Sequence, residues 1–206
     1  MQSKPKGKRI EIKKTRIAPK NGAERKKFMA TKTFRRILFR SPVWRQNLES
    51  TWEGIDAAYV QSFIDSGCFL CTLTMLIACM EGSTTMKPIT LVNRGVTTAS
   101  NPNILAYNNV SDEFTLDTKD SKFIENITKA IVEDNVPVMI QVQGHAVVAY
   151  GYVGNITINT SGEPKYETAD SASIRIFDPY KGRYDDNLDG LTAHYGAIKR
   201  IRIPVK

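Results

Sequence analysis

The stretch GCFLC, Gly67 to Cys71, puts two thiols three residues apart at the head of an apolar run. Three chemistries use such a pair: a dithiol redox couple, half of a metal site, or one nucleophile beside a bystander thiol. A thiol attacks as thiolate, and a helix N-terminus favours that form because unpaired backbone N–H groups point at it. The run FLCTLTMLIACM predicts a buried helix over residues 68–80, closed by Gly82. Cys68 falls at its start, Cys71 one turn in, and Cys79 near its far end. Of the three, Cys68 alone combines an expected exposed sulfur with the helix dipole. Gly67 before it permits a sharp entry into the helix. Cys71 and Cys79, with Met75 between them, read as core packing.

A thiolate nucleophile needs a base that later returns a proton. The chain has two histidines. His145, in QGHAVVAYGY, opens an apolar strand and follows Gly144. His194, in TAHYGA, has a more polar setting and reads as structural. The base in turn needs an orienting acceptor. Asp178, in RIFDPYKG, ends a later strand, and Pro179 keeps its backbone extended. Antiparallel pairing would set the start of one strand beside the end of the other, making His145 and Asp178 neighbours.

Positioning these groups takes a helix and a sheet. The length of 206 residues suits one domain with an appendage. Residues 43–67, with two Trp, read as irregular. TMKPITLVNRGV suggests a short helix begun near Pro88. SKFIENITKAIVEDN (121–135) is amphipathic, with Phe123, Ile124, Ile127, Ile131 and Val132 at helical spacing and Asp120 or Ser121 as cap. VPVMIQVQ (136–143), HAVVAYGYV (145–153), ASIRIFDP (172–179) and GAIKRIRIPV (196–205) read as strands, with a hairpin excursion between the second and third. Helices first, then a mostly antiparallel sheet, make an α+β layout with a central helix packed on the sheet.

Charge divides the chain. Residues 1–42 hold 15 Lys/Arg against 2 Glu, whereas the rest holds 14 Lys/Arg against 19 Asp/Glu. Residues 1–42 therefore read as a basic arm, extended over 1–24 and partly helical over 25–40, with the domain proper at 43–206. Such an arm suits an anionic partner: a cell-wall polymer, nucleic acid, a membrane surface or an acidic protein. No apolar segment of signal-peptide type follows the basic N-terminus, and the longest apolar run, 12 residues, is too short to span a bilayer. The compartment stays open, compatible with virion association or with export lacking a classical signal.

A Gly-Cys opening a buried helix, then VPVMIQVQGHAVVAYGYV, then IRIFDPYKG, resembles the papain-like cysteine peptidases of the bacteriocin-processing type, peptidase family thirty-nine, over residues 43–206. The order Cys, His, Asp is that of the superfamily. Members often carry Gly-Pro directly after the nucleophile, where this chain has Phe69-Leu70. The resemblance implies a papain-like fold and peptide-bond hydrolysis by Cys68, His145 and Asp178 with no metal or organic cofactor. It also implies an upstream glutamine whose amide stabilises the oxyanion; Gln46, in VWRQN, is the first candidate and Gln61 the second. Relatives of this type include leader-peptide processors attached to transporters and modules of phage or bacterial cell-wall lytic proteins. A peptide or protein substrate, such as a cell-wall peptide or a virion protein, is the corresponding expectation. Two other readings stand beside it. One is a non-catalytic peptide-binding or assembly module of the same fold. The other is a thioredoxin-like dithiol oxidoreductase using Cys68 and Cys71, which needs a βαβ setting that residues 43–67 do not suggest. A zinc site would need a second pair of N/S ligands, and none is visible.

Overall fold

A run of Leu, Met, Ala and Cys with no Gly or Pro inside it favours a helix, and one apolar on every side must be a core helix. The computed structural model describes residues 29–38, 44–95, 115–180 and 187–205, and in it this helix, α2, spans Cys68–Glu81 with every residue from Cys68 to Ala78 buried. Gly82 ends it at φ 65°, its N–H donating to Ala78 and Cys79 carbonyls. The two threonines inside the apolar run are satisfied: Thr74 donates to the Leu70 carbonyl (2.7 Å) and Thr72 to the Ala146 carbonyl of the sheet (3.0 Å). Truncating fully buried Leu70, Leu73 or Leu76 to Ala should cost about 2–5 kcal/mol each.

The chain is α+β, with helices packed on an open antiparallel sheet. Its strands are β1 (Ala30–Ile37), β2 (Thr115–Lys119), β3 (Val138–Val142), β4 (His145–Ile158), β5 (Ile174–Phe177) and β6 (Arg200–Val205). The order is β1-β4-β3-β6-β2, with β5 also paired to β4, and every pairing is antiparallel. β4 is the hub. Its first half, His145–Ala149, pairs with β3, and its second half, Gly151–Ile158, pairs with β1.

Alternation along β3 divides the core. Met139 joins Ala146, Leu116 and α2 in one cluster, while Val138, Ile140 and Val142 join Val147, Ala149, Ile127 and Ile131 in another. Ile127 belongs to α4 (Phe123–Lys129), which continues as a π-helical turn over Ala130–Asp134. The other helices are α1 (Ala57–Ser66), α3 (Pro88–Asn93) and α5 (Leu188–Tyr195). No single helix among the described residues is long and apolar enough to cross a membrane.

Four expectations need correction. Residues 30–37, within the segment read as partly helical, form strand β1. Eight consecutive residues rich in Thr and Arg, paired along β4, hold an extended chain that the weak helical periodicity could not override. The expected boundary at residue 42 therefore leaves part of the sheet on the arm side. Residues 57–66, read as irregular, are helical, started by the Asp56 side chain accepting from the Ala58 N–H at 2.9 Å. Neither Asp120 nor Ser121 caps α4; Lys122, at φ 49°, stands at its N-cap with no side-chain cap bond. Residues 1–28 of the arm lie outside the described residues.

Candidate active site

The break between α1 and α2 sets the position of Cys68. The two helices meet at 85°, and the turn is Gly67. A Cβ on Gly67 would stand 2.3 Å from the Phe63 carbonyl oxygen and 2.4 Å from the Trp52 ring. Only glycine lets α1, the Trp52 ring and the start of α2 close this tightly. The Cys71 N–H donates to the Gly67 carbonyl at 2.9 Å. The helical ladder thus begins at Gly67, and the backbone N–H of Cys68 stands ahead of it. Cys68 is only 7% exposed, less open than a bare helix start suggests, and His145 interacts with it.

His145 arrives from the sheet. β3 and β4 join through the two-residue turn Gln143–Gly144, with Val142 opposite His145 and Gly144 at φ 66°. The turn sets the buried imidazole at the end of the sheet, within hydrogen-bonding reach of the Cys68 thiol. Asp178 directly follows β5, whose Phe177 pairs with Val148 of β4. The His145 Nε2–H donates to Asp178 Oδ1 at 2.9 Å, leaving Nδ1 as the ring nitrogen for the sulfur. Burial by itself pulls the His145 pKa down. The hydrogen bonds to Asp178 and Cys68, and the negative charges of both, outweigh it and push the pKa up to about 9.

Asp178 is itself held in place. The Tyr180 N–H donates to Oδ1 at 2.8 Å and the Tyr195 hydroxyl to Oδ2 at 3.4 Å. Tyr195, the last residue of α5, also stacks on His145, with ring centroids 4.5 Å apart and planes 24° from parallel. Burial first, then the Asp178 charge, push its phenol up to about 12, so it remains a donor. No motif marked Tyr195. It adjoins His194, and a histidine search passes directly over it. His194 is exposed and meets Tyr195 edge-on, with centroids 4.4 Å apart.

Gln46 is fastened to both halves of the site. Its backbone N–H donates to the Pro179 carbonyl (3.1 Å), and its carbonyl accepts from Trp52 Nε1 (2.8 Å). Its side-chain Nε2 donates to the Ile64 carbonyl in the last turn of α1 (2.8 Å), three residues before Gly67. Nε2 carries a second hydrogen, and Oε1 is buried without a partner among the described residues. Gln61 is exposed and bonds Asp65 along the surface of α1 at 2.9 Å. The structure brings Cys68, His145, Asp178 and Gln46 into one region and leaves Gln61 outside it.

The other thiols differ in kind. Cys71 is fully buried, and burial followed by the nearby Cys68 charge pushes its pKa well up. Burial raises Cys79 to about 11. Among the described residues, no group of three or more His, Cys, Asp or Glu is placed to hold a metal ion. The arrangement can activate a sulfur, shuttle one proton and fix the shuttle's orientation. No family model and no curated protein matches the chain.

Proposed function

We propose that the chain is a papain-like cysteine peptidase. The observation that carries the reading is the 2.9 Å contact of His145 Nε2 with Asp178 Oδ1 while the same ring lies within reach of the Cys68 thiol at a helix start. Cys68 sulfur attacks a peptide carbonyl carbon, forming a C–S bond and an oxyanion. The oxyanion is met by the Cys68 backbone N–H and the second N–H of the Gln46 amide. The imidazolium of His145 gives its proton to the leaving amine, the C–N bond breaks, and a thioester remains. Water, deprotonated by the now neutral imidazole, attacks the thioester and frees the acid and the thiol. Asp178 keeps the ring in the productive tautomer throughout.

The dithiol alternative fits less well. Helix α1, rather than a strand, precedes Cys68, and its would-be partner Cys71 is fully buried with a raised pKa. The basic segment 1–42 suits an anionic partner, and a cell-wall peptide or a virion protein is the substrate class we assign. Two experiments test this. Purified protein is incubated with peptidoglycan and with a peptide library, and products are read by mass spectrometry. Iodoacetamide should label Cys68 first and stop hydrolysis; no cleavage of any peptide, with slow labelling at Cys68, would favour the non-catalytic binding module.

A further inference from the structure

Resting on the peptidase reading above, we propose that Arg202 makes the site selective for peptides carrying a carboxylate side chain beside the scissile bond. Arg202 lies on β6, and its guanidinium stands over the Phe69 ring at 5.6 Å. Phe69 directly follows Cys68. Arg202 Nε donates to Gln141 Oε1 at 3.4 Å. Gln141 pairs with Ala146 across β3 and β4, and Ala146 directly follows His145. The guanidinium is thus held between Phe69, the chain neighbour of Cys68, and Gln141, the cross-strand partner of the residue after His145; successive Cα atoms are only about 3.8 Å apart. A side chain one or two positions from the attacked carbonyl is the part of a substrate that would meet it.

The charge there is unbalanced. Arg200, two residues back on β6 and paired with Gln141 of β3, has Asp120 at 2.9 Å. Arg202 has no ion-paired carboxylate among the described residues; it has an aromatic face and a neutral amide. Burial, then the positive charge of Arg200, weigh against its own charge, and the Asp120 carboxylate bound to Arg200 offsets only part of this. Arg202 and Gln141 are each half-buried and so remain open to solvent on one side. Nε is occupied by Gln141, and the two Nη groups, without a carboxylate partner among the described residues, can form a fork for one. An incoming Asp or Glu would supply the missing negative charge through charge-assisted hydrogen bonds. An amide of the same shape would leave the guanidinium unpaired.

The test uses the full chain and peptide pairs differing only by Glu or Gln at one position at a time. Wild type should cleave the Glu member better at one position, by about ten- to a hundredfold in kcat/KM, and salt should narrow the gap. Arg202→Gln should bring the ratio close to unity, Arg202→Lys should keep part of it, and Arg202→Glu should turn preference towards a Lys peptide. Equal cleavage by wild type, or a ratio that survives in a folded Arg202→Gln, overturns the assignment. If wild type cleaves nothing, the peptidase reading fails separately. Binding of the same pairs to Cys68→Ala, by fluorescence anisotropy, then decides the role of Arg202. A Glu preference lost on adding Arg202→Gln upholds it, and no preference overturns it.

Discussion

Tyr195 lies face to face with His145 at 4.5 Å while its hydroxyl reaches Asp178 Oδ2 at 3.4 Å, so one side chain touches both the imidazole and the carboxylate that it bonds. An aromatic face attracts a cation, so the stack favours imidazolium over imidazole. Tyr195→Phe keeps the ring and should change kcat/KM by less than about fivefold, since the lost bond is long. Tyr195→Leu removes the ring and should lower kcat about ten- to a hundredfold with KM little changed. It should also move the onset of thiol alkylation towards higher pH, because a less stable imidazolium favours the thiolate less. An unshifted alkylation profile in Tyr195→Leu would reduce the tyrosine to packing alone.

The proton on His145 ties stability to pH. Its folded pKa, about 9, lies above its ordinary 6.5. The folded state therefore holds the proton more tightly than the unfolded chain. That contribution is complete below pH 6.5 and vanishes as pH climbs through 9. Denaturant titrations from pH 6 to 10 should show wild type losing roughly 1–3 kcal/mol over that interval, and Asp178→Asn losing distinctly less. The alkaline limb of kcat/KM should fall near the same pH.

Cys68→Ser should abolish turnover and leave the melting curve within a degree or two. Cys71→Ala should keep most activity at a cost of about 1–2 kcal/mol, because it empties a little buried volume. Peptide mapping after alkylation should find label on Cys68 in the native protein and on Cys71 only after unfolding. If Cys71→Ala is the inactive variant, the nucleophile has been assigned one turn too early.

Gly67→Ala should be among the costliest single methyl additions in the chain. Its Cβ would overlap a backbone carbonyl and the Trp52 ring, neither of which is the loose end of a flexible side chain. A loss of about 1–3 kcal/mol is expected, read as a lower denaturant midpoint, with thiol alkylation slowed because the helix start is displaced.

The Cys68–His145–Asp178 cluster was legible because such side chains are scarce: three Cys and two His in 206 residues leave few combinations. Strands β3 to β6 were legible because β-branched runs and Gly or Pro punctuation mark them locally. β1 and β2 were not, since TKTFRRI and TLDTK are too polar to announce a buried face, and their extended form comes from strands far along the chain. α1 hid for a related reason. Of AAYVQSFIDS only Phe63 is buried, so its period is faint. Tyr195 could not be found because stacking across 50 residues of sequence leaves no local mark.

Truncation offers a direct test of where the domain begins. Removing residues 1–28 should leave the melting transition nearly unchanged, since β1 starts at Ala30. Removing residues 1–42 takes β1 with it and strips a partner from Gly151–Ile158 of β4. That version should melt earlier and aggregate through the newly bared strand edge. Equal melting of the two truncations would show that β1 adds nothing to the fold.

The clasp between the Gln46 backbone and Pro179 spans most of the chain, and the imidazole waits for a carboxylate 33 residues further on. A ribosome releases Cys68 long before it releases Asp178. On the proposed reading, the emerging polypeptide stays harmless to itself and to its neighbours until Asp178 and the strand before it have been made.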